Sequence, residues 1–109
     1  MGGAIRRRAY LGRAGQLAVM AELAERGWNV AVPELDFGDD IVVLDDASGA
    51  LRRIQVKTAR ARPTGEACRV KFKLGLAQLL TKRSPDLLYV LVVRAAERWE
   101  PFLVVTRNV

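Results

Sequence analysis

Apolar positions in the first quarter of the chain recur at helical spacing. Between about residues 12 and 26 an apolar side chain returns every three or four positions, with Val19 and Leu23 widening a stripe made of Leu17, Met20, Ala21 and Ala24. The pattern predicts a helix that ends at Gly27, because glycine accepts a left-handed backbone without penalty. We expect residues 1–11 to form a basic, partly ordered arm.

The rest of the chain carries short apolar runs separated by turn residues. These runs predict strands at 28–33, 40–45, 51–58, 86–93 and 101–107. Residues 68–74 alternate strictly, which predicts a further strand whose cationic side is formed by Arg69, Lys71 and Lys73. A basic loop at 59–67 and a short helix at 75–84, before Pro85, complete the order. This order predicts one α/β domain with a mixed central sheet flanked by helices, its second and third strands forming a hairpin.

The third predicted strand carries two polar side chains within "IQVKTA" at 54–59. Gln55 and Lys57 are two residues apart, so both point to the same side of the sheet. An ammonium group in a buried strand is costly unless an anion meets it. Asp40, at the start of the preceding strand, offers one such anion as a structural ion pair. A bound phosphate is the alternative partner for Lys57.

Residue usage restricts the chemistry. The chain has 109 residues and no histidine, and Cys68 is its single cysteine. Ser-His-Asp and Cys-His machinery and the usual zinc ligands are therefore excluded, and any catalysis must use carboxylates, lysine and a hard metal ion. The absence of a disulfide fits a reducing cytoplasm. We expect neither a signal peptide nor a membrane span, since the longest apolar run, at 87–93, has the length of a strand.

Charge is unevenly distributed along the chain. The net charge is +6, and residues 51–73 carry eight basic side chains against Glu66 alone. Residues 34–46 hold six acidic side chains and no basic one. Acidic residues enclosed by basic segments are typical of a cation site beside a phosphate-binding surface. Taken singly, each feature also has an ordinary interpretation: "DFGDD" at 36–40 as a turn, and the cationic strand as a solvated surface.

An acid at a strand start, followed on the next strand by a polar-x-Lys pair, resembles the PD-(D/E)XK nuclease superfamily. The "IQVKTA" run resembles its QxK variant, found in group I intron homing endonucleases. "GRAGQ" at 12–16 is similar to a Gly-x-x-Gly-Glu helix start in related resolvases, and Asp36, Gly38 and Asp40 match an Asp-x-Gly-x-Asp pattern. The resemblance implies a restriction-endonuclease-like αβββ(β)αββ core.

The resemblance also implies functional roles. Asp40 would be the principal ligand of Mg²⁺ or Mn²⁺ and Gln55 the second ligand, with Asp36 or Asp39 as further candidates. Lys57 would stabilise the transition state, and Gln16 would orient a metal-bound water. DNA would be the partner, with phosphate contacts from basic side chains at Arg13, Arg60, Arg62, Lys71 and Lys73. Because one small chain cannot encircle a duplex, cutting both strands would need a homodimer or higher assembly.

Two amides depart from the pattern, since Gln16 and Gln55 stand where carboxylates are more usual. Each lost carboxylate weakens the attraction for a divalent cation. A non-catalytic nucleic-acid-binding or assembly module on the same fold is therefore the second hypothesis. A protein-interaction domain whose basic face meets an acidic partner is the third.

Overall fold

The computed structural model describes residues 2–35, 38–65 and 67–107. Asp36, Phe37 and Glu66 lie outside the described residues, and so does the candidate ligand role of Asp36. The elements in chain order are α1 (Gly2–Glu25), β1 (Asn29–Ala31), β2 (Ile41–Leu44), β3 (Leu51–Arg60), β4 (Arg62–Thr64), β5 (Ala67–Arg69), α2 (Leu76–Leu80), β6 (Leu87–Ala95), β7 (Arg98–Trp99) and β8 (Leu103–Thr106).

The main sheet has the strand order β1-β2-β3-β6-β7, and β8 also pairs with β6. β2 and β3 form the predicted antiparallel hairpin, with Ile41 opposite Ile54 and Leu44 opposite Leu51. The chain then crosses over and returns as β6, which runs parallel to β3. The predicted mixed α/β arrangement is confirmed, and the two longest strands form its centre.

The pairing of β2 with β3 covers only the first part of β3. It ends at Ile54, while β3 continues to Arg60. Residues 55–60 therefore have β6 on one edge and, in the part of the chain that the structure describes, no strand on the other. We call this the open edge of β3. It is the place where side chains from other elements can approach the strand.

Helix α1 covers one face of the sheet. Val19 is 2% exposed and packs with a set of buried strand residues, Ile41, Val43, Ile54, Val56, Val90 and Val92. Gly15 is also buried on this side of the helix, against Thr58 of β3. The predicted stripe was rotated relative to the observed one, since Leu17 is 48% exposed and Ala21 is exposed. Because Gly15 has no side chain, α1 packs closely against β3 through the face that carries Gly15 and Val19, and this face is rotated from the most apolar face of the helix.

The helix ends where the pattern placed its end. Gly27 has φ 92°, and the Trp28 amide donates to the Leu23 carbonyl at 3.0 Å, which closes the last turn. Its start was predicted wrongly, because α1 begins at Gly2 and residues 2–11 are helical rather than an arm. This segment has no proline, and its arginine, alanine and leucine residues have high helix propensity. The basic residues at 6–8 are therefore carried on a helix.

The middle of the chain also differs from the prediction. The expected loop at 59–67 contains the end of β3 and a short hairpin, in which β4 pairs with β5. The expected strand at 68–74 is extended in pattern, but only residues up to Arg69 pair as a strand. Alternation needs a neighbouring backbone to become a strand, and residues 70–75 have none. The two-residue strand β7 was not predicted. No helix within the described ranges is long and apolar enough to cross a membrane.

Candidate active site

Asp40 lies at the point where β2 leaves the edge of β3. Its backbone amide donates to the Ile54 carbonyl at 2.8 Å. Its carboxylate oxygen Oδ2 accepts a hydrogen bond from the Val56 amide at 2.9 Å. The Asp40 carboxylate thus accepts the hydrogen bond that a backbone carbonyl would accept if β2 continued to pair with β3 beyond Ile54. These two bonds fix Asp40 on the open edge of β3, beside Gln55.

Gln55 is held by a chain of hydrogen bonds from α2. Gln78 Nε2 donates to Gln55 Oε1 at 3.4 Å and to the Gly38 carbonyl at 3.3 Å. The Tyr89 hydroxyl donates to Gln78 Oε1 at 2.9 Å. Burial raises the pKa of Tyr89 above its ordinary value, against the opposing charges of Arg107 and Arg83, so the phenol keeps the proton that it donates.

Sequence reasoning missed the roles of Gln78 and Tyr89. Tyr89 lies in β6 directly beside Gln55 in the parallel register. Gln78 sits in the short helix that precedes β6, and its own carbonyl accepts from Arg107 at 2.5 Å. A polar residue in an apolar helix, "LAQLL", was the available signal. Together the two residues orient the Gln55 amide: Gln78 donates to it directly, and Tyr89 holds Gln78 in place.

Lys57 is half-buried and two residues beyond Gln55. The ion pairs found among the described residues all involve other cations, namely Arg26, Arg53, Arg83, Arg98 and Arg107. The prediction of Asp40 as the resting ion-pair partner of Lys57 was therefore wrong: the Asp40 carboxylate is turned to the Val56 amide instead. Within the described residues, the ammonium group is available for a ligand.

Gln16 reaches the same place from α1. Its Nε2 donates to the Asp40 backbone carbonyl at 3.1 Å. A glutamate at this position could not donate this bond, since an ionised carboxylate only accepts. The amide is thus suited to position Asp40 through its backbone. This contact accounts for one of the two departures from the carboxylate pattern.

The Asp39 carboxylate forms ion pairs with two arginines. It is 3% exposed, with Arg53 Nη1 at 3.3 Å from Oδ2 and Arg83 Nη1 at 3.7 Å from Oδ1. This double pairing explains a buried carboxylate without any metal. Among the residues described, no group of three His, Cys, Asp or Glu side chains could hold a metal ion.

A smaller donor set remains for Mg²⁺. The ion binds through one or two carboxylates and keeps several waters. Asp40 directly precedes Ile41, which pairs with Ile54, and Gln55 directly follows Ile54. One carboxylate and one amide oxygen are both hard donors, which is the ligand chemistry that Mg²⁺ and Mn²⁺ accept.

A groove with a volume of about 1270 Å³ opens at the end of β3. Four of the predicted phosphate contacts line it, namely Arg60, Arg62, Lys71 and Lys73. Arg13 is exposed on α1 and is not part of its lining. Arg7 and Arg8 line it from the helix, and Arg94, which stacks 4.8 Å from the Trp99 ring centre, lines it from β6. We call this the cationic groove.

Comparisons with known proteins support the fold. No family model and no curated protein matches the chain. Among solved structures, the fold is matched by that of an endonuclease. That structure is of a bacterial homing endonuclease, I-Ssp6803I, with a TM-score of 0.58 and 24% sequence identity over 87% of this chain. The match covers 62% of the endonuclease chain, so this chain spans less than two thirds of its length. A nuclease-like fold is thereby confirmed.

Proposed function

We propose that this chain is a metal-dependent endonuclease-like domain that hydrolyses phosphodiester bonds in DNA, with the PD-(D/E)XK core and the QxK variant of its site. The observation that carries the proposal is the half-buried Lys57, which has no ion-pair partner in the described part of the chain. Lys57 lies on β3, the strand that also carries Gln55. The Val56 amide of this strand donates to the Asp40 carboxylate. The homing endonuclease with this fold supports the same class of reaction.

The reaction requires a water oxygen to form a new bond to phosphorus while one phosphorus–oxygen ester bond breaks. Mg²⁺ or Mn²⁺, held by Asp40 and Gln55, would supply Lewis-acid stabilisation of the phosphate charge. Lys57 places a positive charge beside the scissile phosphate, where negative charge increases in the transition state. The attacking water releases a proton to solvent, and the departing oxygen takes a proton from solvent.

The supporting residues keep these groups in place. Gln16 fixes the Asp40 backbone, and Gln78 with Tyr89 fixes the Gln55 amide. Because a small displacement of a catalytic group costs much of its effect, these residues are positioning residues of the proposed site. Cleavage of both DNA strands would need two copies of the chain, as a homodimer or a higher assembly.

The test uses supercoiled plasmid and a short duplex with Mg²⁺ or Mn²⁺. We expect Lys57→Ala to reduce the cleavage rate by about 10²- to 10³-fold, which is the usual effect of removing one group that stabilises transition-state charge. Lys82→Ala, which removes the same charge from an exposed position, should change the rate less than twofold. Equal cutting by wild type and Lys57→Ala would mean that a contaminant causes the activity, and the proposal would fail.

A second candidate is a non-catalytic nucleic-acid-binding module on the same fold. Two observations favour it: among the described residues no group of three acidic, His or Cys side chains could hold a metal ion, and Gln16 uses its amide for a structural contact. This module would bind DNA in a salt-sensitive way and keep that binding after Asp40→Ala. Wild-type protein that binds but never cuts, with either metal, would select this candidate over the nuclease.

A further inference from the structure

The cationic groove has two walls that come from distant parts of the sequence. One wall is the N-terminal half of α1, which contributes Arg7, Arg8 and Tyr10. The other contains Lys71 and Lys73, which follow the β4–β5 hairpin. The first wall is helical from Gly2 onwards, whereas Lys71 and Lys73 of the second wall lie in a segment without regular secondary structure after β5.

The described lining of the groove concentrates positive charge. Eight arginine and lysine side chains line it, and none of its described lining residues is acidic. The ion pairs of the described residues use arginines elsewhere on the molecule. Like charges that converge on one concave surface repel each other and disfavour the folded state. An arrangement of this kind is typical of a surface that an extended anion neutralises.

The groove lies next to the proposed active site along β3, although Lys57 is not among its lining residues. Its floor contains Thr58, Ala59 and Arg60, the three residues that follow Lys57 in β3. Arg62 on β4 and Arg69 on β5 extend the positive surface away from Lys57. Successive side chains of a strand point to opposite faces, so Lys57 lies on the face of β3 away from Thr58 and α1, and an anion in the groove would reach the Lys57 ammonium only by passing round the open edge of β3. A polymer with a regular series of phosphates meets this description.

We propose that the cationic groove binds the sugar–phosphate backbone of DNA on one side of the scissile phosphate. Arg7 and Arg8 bind phosphates from the α1 wall, and Lys71 and Lys73 bind them from the opposite wall. The position of the scissile phosphate at Lys57 rests on the proposed function, whereas binding in the groove does not.

The chain provides a matched control for the α1 wall. Arg6 is exposed on the same helix but does not line the groove. Arg8→Ala and Arg6→Ala remove the same charge and change helix propensity equally. Lys71→Ala and Lys82→Ala form the corresponding pair for the opposite wall, since Lys82 is exposed and outside the groove.

The measurement is the affinity for a fluorescent 20-base-pair duplex at several salt concentrations, in EDTA so that no strand is cut. The plot of log affinity against log salt has a negative slope, and loss of one phosphate contact decreases the magnitude of that slope by about 1. We expect that decrease, with weaker binding, for Arg8→Ala and Lys71→Ala, and slopes close to wild type for Arg6→Ala and Lys82→Ala. Urea denaturation checks folding, and Arg8→Ala should be at least as stable as wild type because a repulsive charge is gone.

Two results would overturn the proposal that the groove binds DNA. The first is an equal loss of DNA affinity for both members of each matched pair, which would mean that only net charge matters. The second is unchanged DNA affinity for both Arg8→Ala and Lys71→Ala. Neither result depends on cleavage. If the groove variants lose binding while the wild type never cuts, the groove stands and the nuclease proposal fails. If they bind normally while Lys57→Ala abolishes cutting, the nuclease stands and the groove is wrong.

Discussion

The close approach of α1 to β3 leads to a prediction with opposite signs at two glycines of one helix. A Cβ added at Gly15 would lie 2.8 Å from Thr58 Cγ2 and 2.9 Å from Thr58 Cβ, and it would also press on Thr58 Oγ1. Thr58 is β-branched and therefore rotates with difficulty. Its Oγ1 is buried and has no hydrogen-bond partner among the described atoms. Gly15→Ala must therefore push the helix away from the strand.

The size of the effect follows from two opposing contributions. Overpacking a well-packed contact costs about 1–3 kcal/mol, and alanine regains about 1 kcal/mol of helix propensity over glycine. The sum predicts that Gly15→Ala lowers the free energy of unfolding by up to about 2 kcal/mol. Gly12, three residues earlier, has nothing within 4 Å of an added Cβ. Gly12→Ala should therefore raise the free energy of unfolding by about 0.5–1 kcal/mol.

Urea denaturation, followed by the fluorescence of the half-buried Trp28 and Trp99, measures both variants. Adding Thr58→Ala to Gly15→Ala should restore part of the lost stability, because it removes Oγ1 and Cγ2, two of the three atoms that collide. Thr58→Ala alone provides the reference for this double-mutant cycle. If Gly15→Ala is as stable as Gly12→Ala, or if Thr58→Ala restores nothing, the close packing of α1 on β3 is wrong.

Two further predictions concern the groups around the site. Asp39→Asn removes the buried carboxylate that pairs with Arg53 and Arg83 and should lower the free energy of unfolding in urea by about 3 kcal/mol. The exposed Asp46→Asn should change it by less than about 0.5 kcal/mol, and similar values for both would contradict the ion-pair cluster. Because burial raises the pKa of Tyr89 above 10.0, the unfolded chain loses this proton first, so stability is complete below pH 10.0 and declines as the pH rises through the folded-state pKa. Tyr89→Phe should show a shallower decline in alkaline urea denaturation than wild type, and parallel curves would argue against a buried phenol.

The sequence predicted best where local pattern and tertiary packing agree. The β2–β3 hairpin was predictable because two β-branched runs flank a turn in which Asp45 accepts from the Ala47 amide and the Ser48 hydroxyl, and Gly49 has φ 77°. The hydrogen bond from the Ser48 hydroxyl is the main reason that the pKa of the Asp45 carboxyl is lowered, and the hydrogen bond from the Ala47 amide lowers this pKa further. The neighbouring positions of Asp40 and Gln55 followed from this hairpin, since register determines which residues face each other.

The remainder depended on partners that a local pattern does not specify. The basic segment at residues 2–11 was predicted as an arm because it lacks an apolar stripe, yet helix propensity and continuity with the docked turns extend α1 through it. Gln78 could not be assigned to Gln55, because the path of the crossover between β5 and β6 decides which side chains meet. The two walls of the cationic groove likewise come from segments about sixty residues apart.

The open edge of β3 has a consequence for how copies of this protein meet. An unpaired strand edge invites a second strand to add to it, and natural proteins commonly guard such edges with charge. Here Arg60 on the strand and Arg7 and Arg8 on the adjacent helix provide that protection. Two molecules that approach through this edge would repel each other until a polyanion lies between them. The same arginines that we propose as DNA contacts would thus keep the free protein from aggregating through β3.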